Sequence, residues 1–132
     1  MRTPEDIETY LLELGHSFDQ VDEGMWVLQD DEEHLENLVI HYAAPLAIFR
    51  VKLFDLPEGD NGALYRQLLE LNANDLVHGA YGLEGNSVVL IDTLQVENLD
   101  RNELQASIEA ISMALTQHYP VLSSYRNGRG AN

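Results

Sequence analysis

The sequence contains no cysteine. Disulfides, thiolate metal ligands and cysteine nucleophiles are excluded, which fits a reducing compartment. It is also nearly free of lysine. Lys52 is the only one, and 7 Lys and Arg stand against 23 Asp and Glu, a formal net charge of −16. A surface of that sign repels phosphate backbones and anionic lipid, so no nucleic-acid or membrane partner is expected. No apolar run approaches the roughly 20 residues of a membrane-spanning helix. The opening MRTPEDIETY is acidic and polar and does not read as a secretory signal. A soluble, cytoplasmic protein is expected. The acidity itself has two readings: it provides solubility, as in a salty cytoplasm, or it complements a basic or neutral partner.

Sequence motifs of catalysis and metal binding are missing too. The histidines are His16, His34, His41, His78 and His118. They form no H-E-x-x-H and no close pair, so a zinc site is not indicated. His34 follows the acidic run 30–33, where a solvated turn is the simpler reading than a surface metal site. Asn72, Asn74 and Asp75 lack the spacing and closing Glu of a calcium loop and read as a helix stop. No phosphate-binding G-x-x-x-x-G-K-[ST] occurs. Gly79, Gly82 and Gly85 fall inside a hairpin rather than at a strand-to-helix turn, so they read as turns and close packing. Ser17, Ser87 and Ser107 lack a G-x-S-x-G context. No catalytic residue, metal or cofactor is expected.

What is present is one domain's worth of chain. The 132 residues are 45% apolar, enough for a sizeable core. Thr3-Pro4-Glu5-Asp6 is a helix start, and Ile7, Tyr10, Leu11 and Leu14 fall at i, i+3, i+4 and i+7 before Gly15 stops the helix. Strands are predicted over 17–21 and 25–29 around Asp22-Glu23-Gly24, this hairpin being the weakest element, then over 35–42 and 46–53, with Ala43-Ala44-Pro45 between. In the last of these, Phe49, Val51 and Leu53 alternate with Ile48, Arg50 and Lys52, the pattern of a half-buried antiparallel strand. Arg50 and Lys52 are expected in cross-strand ion pairs. A second helix spans about 63–71. A hairpin of strands 78–83 and 87–94 turns on Glu84-Gly85-Asn86, and the apolar run 88–91 marks a central or doubly covered strand. Asp100 and Glu103 form a capping box for a third helix, with Leu104, Ile108, Ile111 and Leu115 on one stripe, ending near Tyr119 before Pro120. One domain over 1–122 and a flexible tail over 123–132 are expected. The order is α-β-β-β-(β)-α-β-β-α, an α+β fold with an antiparallel sheet and helices packed on it.

That order, with Leu71-Asn72, Leu76, Gly79, Tyr81 to Leu83, the apolar strand, Leu99-Asp100 and the last helix, resembles the type III secretion (Tir) chaperone-like superfamily and, within it, the YbjN family. The sequence-level match is confined to about residues 64–119. The resemblance implies a small acidic homodimer without enzymatic activity. It implies a dimer interface on the second helix and following strand, at Leu64, Tyr65, Leu68, Leu69 and Tyr81. It also implies apolar grooves that hold an extended segment of a partner protein, at Ile7, Leu11, Leu14, Phe18, Trp26 and Leu28. The alternative it leaves is a YbjN-like sensory or stress regulator acting through folded protein partners. An enzyme or ligand-binding domain would instead show a pocket with convergent polar groups. From the residues alone, Trp26 and Tyr42 are either core or groove wall. The Tyr65, Leu68 and Leu69 side of the second helix is either buried in one chain or shared between two.

Overall fold

The computed structural model describes residues 1–30 and 35–126. The expected acidic turn and His34 lie outside the described residues, as does the end of the expected tail. Helix α1 (Pro4–Leu14) is followed by strands β1 (Phe18–Asp22), β2 (Met25–Asp30), β3 (Leu35–Ala43) and β4 (Leu46–Asp55). Helix α2 (Gly62–Asn74), strands β5 (Ala80–Glu84) and β6 (Ser87–Gln95) and helix α3 (Arg101–Arg126) follow among the described residues. The order is the one expected, and the weakest predicted hairpin is formed as β1–β2.

All six strands make one antiparallel sheet in the order β1-β2-β3-β4-β6-β5. The register sets Trp26 opposite Ile40, Ile40 opposite Phe49, and Val51 opposite Leu90, which in turn faces Tyr81. These side chains share one face and meet Ile7 and Leu11 of α1, Leu64, Leu68 and Leu71 of α2, and Leu104, Ile108 and Ile111 of α3 in a single core. β6 lies between β4 and β5, which explains its continuous apolar run: Val88 and Leu90 face the core, while Val89 is buried on the opposite face. There Arg50 of β4 and Glu84 of β5 meet at 3.0 Å, and by register their contact spans β6 above Val89. Lys52 pairs with Asp55 of its own strand at 3.1 Å, so only one of the two expected cross-strand pairs forms.

Local signals set the helix ends. Thr3 and Asp6 make a reciprocal capping box, and Gly15 ends α1 in the left-handed region at φ 78°. The Thr3 backbone N–H is the chief cause that holds the Asp6 carboxyl below its ordinary value, with the Thr3 hydroxyl and Arg2 acting the same way. Asp100 and Glu103 cap α3 as expected, Glu103 N–H donating to Asp100 Oδ1 at 2.7 Å.

Two boundaries differ from the sequence reading. α2 runs on through Asn72 to Asn74, with Asp75 as its C-cap. α3 does not stop before Pro120; it continues to Arg126. Proline removes one intrahelical hydrogen bond and crowds the preceding turn. Here Leu122 is buried and Val121 and Tyr125 pack on the core beyond it, so apolar burial outweighs that loss. Residues 123–126, expected in the tail, are helical.

Candidate protein-binding surfaces

The first expected surface lies where α1 crosses β1 and β2. Ile7, Leu11, Trp26 and Leu28 are all inside the core. Trp26 is 1% exposed, and its indole N–H donates to Glu8 Oε1 at 3.2 Å. The reading of Trp26 as a solvent-facing groove wall is corrected: register puts it on the face that α1 covers, and Glu8 ties the two together. Tyr42 packs against the core from its edge, its hydroxyl donating to the Arg2 carbonyl at 2.8 Å. Leu14 and Phe18 are half-buried at the rim. Leu12 is exposed on α1; the sequence reading missed it because it falls off the 7-10-11-14 stripe. Beside this rim runs the outer edge of β1. Gln29 N–H donates to the Ser17 carbonyl at 3.4 Å. By antiparallel alternation, Phe18 and Gln20 then turn their own N–H and C=O groups outward. Among the described residues no side chain takes them up.

The second expected surface is divided by the helix period. Leu64 and Leu68 face inward and are buried, as is Tyr81 on β5. Tyr65, Leu69 and Asn72 follow at i, i+4 and i+7 on another flank. Asn72 bonds the backbone of Tyr81, which sets that flank against β5. Leu69 is 67% exposed and Leu83 on β5 is 48% exposed. Of the five expected interface residues, Tyr65 and Leu69 are exposed, while Leu64, Leu68 and Tyr81 are buried. Leu83 is exposed as well, at the last position of the predicted strand 78–83.

A polar centre sits behind this second surface. The Tyr81 hydroxyl and His118 Nδ1 are 2.6 Å apart, and His118 Nε2 stands 3.4 Å from Asp75. Burial first, and then the Asp75 charge, push the Tyr81 phenol far above its ordinary value of 10.0. The phenol keeps its proton, and with the Nε2–H tautomer of His118 it donates to Nδ1 while the ring N–H faces Asp75. A phenol held protonated is a poor nucleophile. The arrangement fastens α2, β5 and α3 to one another. Ser107 likewise donates to Asp92 and joins α3 to β6.

The hollow between the β4–α2 loop and the end of α3, lined by Pro57, Glu58, Asp60, Asn61, Leu64 and Tyr125, offers about 30 Å³. That is room for a water or two, not a substrate. Among the described residues no group of three or more His, Asp or Glu could hold a metal ion. No helix among them is long and apolar enough to cross a membrane.

Solved structures share this architecture. The chain is similar to YbjN from E. coli, with a TM-score of 0.69 and 15% identity over 92% of this chain and 94% of that one. It is similar to a chain of the ExoU–SpcU heterodimer from the type III secretion system of Pseudomonas aeruginosa. There the TM-score is 0.68 and identity 20%, over 86% of this chain and 95% of that one. A chain of the HopA1–SchA chaperone–effector complex gives 0.59 and 13% over 93% and 91%. At these identities the likeness is one of fold. A comparison with curated protein sequences finds no match. The family model CesT_Tir_1 matches residues 1–127, nearly the whole chain, and the protein therefore belongs to this family of type III secretion chaperones.

Proposed function

We propose that the protein is a cytoplasmic, non-catalytic, homodimeric chaperone that holds an extended segment of a partner protein along the outer edge of β1. The observation that carries this reading is the open β1 edge. Phe18 and Gln20 offer unpaired main-chain groups next to an apolar rim of Leu14 and Phe18. An added strand gains backbone hydrogen bonds from such an edge and side-chain pockets from the rim. Ile7, Leu11, Trp26 and Leu28 then form the rigid floor of the site rather than its contact surface. Asp19, Asp22 and Glu23 on and beside β1 favour a basic segment. The two copies would meet through Tyr65, Leu69 and Leu83, with Leu64, Leu68 and Tyr81 holding them in place.

The test exploits proline at an edge. Gln20 does not use its N–H to bind β2, so Gln20→Pro removes an outward donor and leaves the sheet's own ladder intact. The protein is co-expressed with N-terminal segments of secreted effector proteins, and complexes are resolved by gel filtration. A stable complex, lost with Gln20→Pro and kept with Lys52→Ala on the opposite face, is the expected result. A complex indifferent to Gln20→Pro, or one formed only with folded partners as a regulator would form, overturns it.

A further inference from the structure

The two edges of the sheet are not equivalent. β1 stands at one end and β5 at the other, and an unprotected edge invites another strand. On β5, Glu84 pairs with Ser87 across a two-residue turn, and Gly82 pairs with Val89. In such a hairpin these residues exchange main-chain hydrogen bonds with β6, so Tyr81 and Leu83 direct theirs outward. At Tyr81 both outward groups are already taken. Its N–H donates to Asn72 Oδ1 at 2.7 Å, and its C=O accepts from Asn72 Nδ2 at 3.1 Å. A carboxamide carries the acceptor and donor of a peptide group, and here it fills the position a neighbouring strand would take. The helix that delivers it is fixed from a second direction. Asp75, its C-cap, faces His118, and His118 bonds the hydroxyl of the same Tyr81. The last turn of α2 thus grips Tyr81 by backbone and by side chain.

We propose that Asn72 is an edge guard: its carboxamide occupies the outer ladder of β5 at Tyr81 and prevents a second copy of this chain from adding there as a strand. The occupant it excludes is a second copy because β5 lies beside the apolar flank of Tyr65, Leu69 and Leu83. A two-fold pairing of β5 with itself would bury those residues while making one continuous twelve-stranded sheet. With the guard in place, two copies meet through side chains alone. The guard stands independently of the chaperone reading. Only its corollary, that a partner strand is directed to β1, rests on that reading.

Amide hydrogen exchange and light scattering on the full chain test it, with no partner needed. In the wild type the Tyr81 amide is expected to exchange at least about tenfold more slowly than that of Leu83, its equivalent one pleat away. Asn72→Ala is expected to release the Tyr81 amide while the Leu90 amide across the ladder stays protected. As concentration rises, the variant should slow Leu83 exchange and form larger species, and Leu83→Pro on the same background, which removes that outward N–H, should abolish the larger species. Asn72→Asp keeps an acceptor for the Tyr81 N–H and serves if the alanine variant does not fold. Its Tyr81 amide should stay protected while the freed C=O promotes association. A fast Tyr81 amide in the wild type overturns the guard. A released Tyr81 amide with unchanged mass and unchanged Leu83 exchange overturns its role against a second copy. Loss of partner binding with Gln20→Pro bears on the chaperone reading alone, so the two can fail separately.

Discussion

Tyr81 and His118 are joined by a 2.6 Å hydrogen bond between hydroxyl and Nδ1, deep in the chain and 37 residues apart in sequence. The bond crosses from the edge strand to the last helix. Tyr81→Phe keeps the ring and its packing but leaves Nδ1 of His118 buried without a donor. An unsatisfied buried acceptor costs about 1–3 kcal/mol. Urea unfolding should show a loss in that range with an unchanged slope, because the surface exposed on unfolding is the same. A loss below about 0.5 kcal/mol would mean that the bond contributes nothing net.

The same phenol sets an alkaline limit. Burial and Asp75 hold its proton beyond the ordinary value of 10.0. Below that pH the folded and unfolded chains both keep the proton, and the contribution is whole. Above it the unfolded chain releases its proton first, and stability falls by up to about 1.4 kcal/mol per pH unit until the folded phenol also ionises. Urea midpoints measured from about pH 9 to about pH 11 should decline less steeply in Tyr81→Phe than in the wild type. Equal slopes would remove Tyr81 from the account.

Trp26 is the only tryptophan, so fluorescence reports it alone. Buried in the core and bonded to Glu8, it should emit in the blue and resist acrylamide. Trp26→Ala should cost about 3–5 kcal/mol. Glu8→Ala should be milder, on the order of 1 kcal/mol, with a measurable red shift. Strong quenching in the wild type would put the indole back on the surface and reopen the groove reading at this residue.

Most of the architecture was legible because it is written in short-range patterns. The Thr3 and Asp100 caps, the period-two alternation of β4 and the Gly85-Asn86 turn each act within a few residues. The parts that were not legible depend on what lies across the core. Pro120 reads as a stop until Leu122 is seen to be buried beyond it. Asn72 reads as a helix breaker, yet it sits in the last turn of α2 with its side chain spent on Tyr81. Trp26 is ambiguous by type, and only the β2–β3 register and α1 decide which side of the sheet it occupies. The candidate surfaces were half legible for the same reason. The helices and strands that carry them form as expected, but periodicity names an apolar flank without saying which element covers it.

The second half of α3 gives a direct check on that override. Leu122 is buried after the proline, so Leu122→Ala should destabilise by about 2–5 kcal/mol. Shortening the chain after Tyr119 should lower the melting temperature at least as much. If both changes are silent, residues beyond Pro120 do not hold the core, and the domain ends where the proline suggested.

The dimer reading turns on two adjacent leucines that the helix period separates. Leu68 is 5% exposed and Leu69 67% exposed. A carboxylate at Leu68 would be buried without a partner, a cost of several kcal/mol against a total stability of about 5–15 kcal/mol. Leu68→Asp should therefore unfold the chain, and a loss of dimer in that variant would say nothing about an interface. Leu69→Asp places the charge in water and should change stability by no more than about 0.5 kcal/mol. If two copies meet on this flank, the substitution buries like charges against each other and should shift the mass seen by light scattering from two chains to one. Circular dichroism and urea midpoint should stay at the wild-type values. Leu83→Lys, from the strand side of the same flank, should do the same. A wild type that is already monomeric at micromolar concentration, or a Leu69→Asp variant that remains a dimer, would place the contact between copies elsewhere.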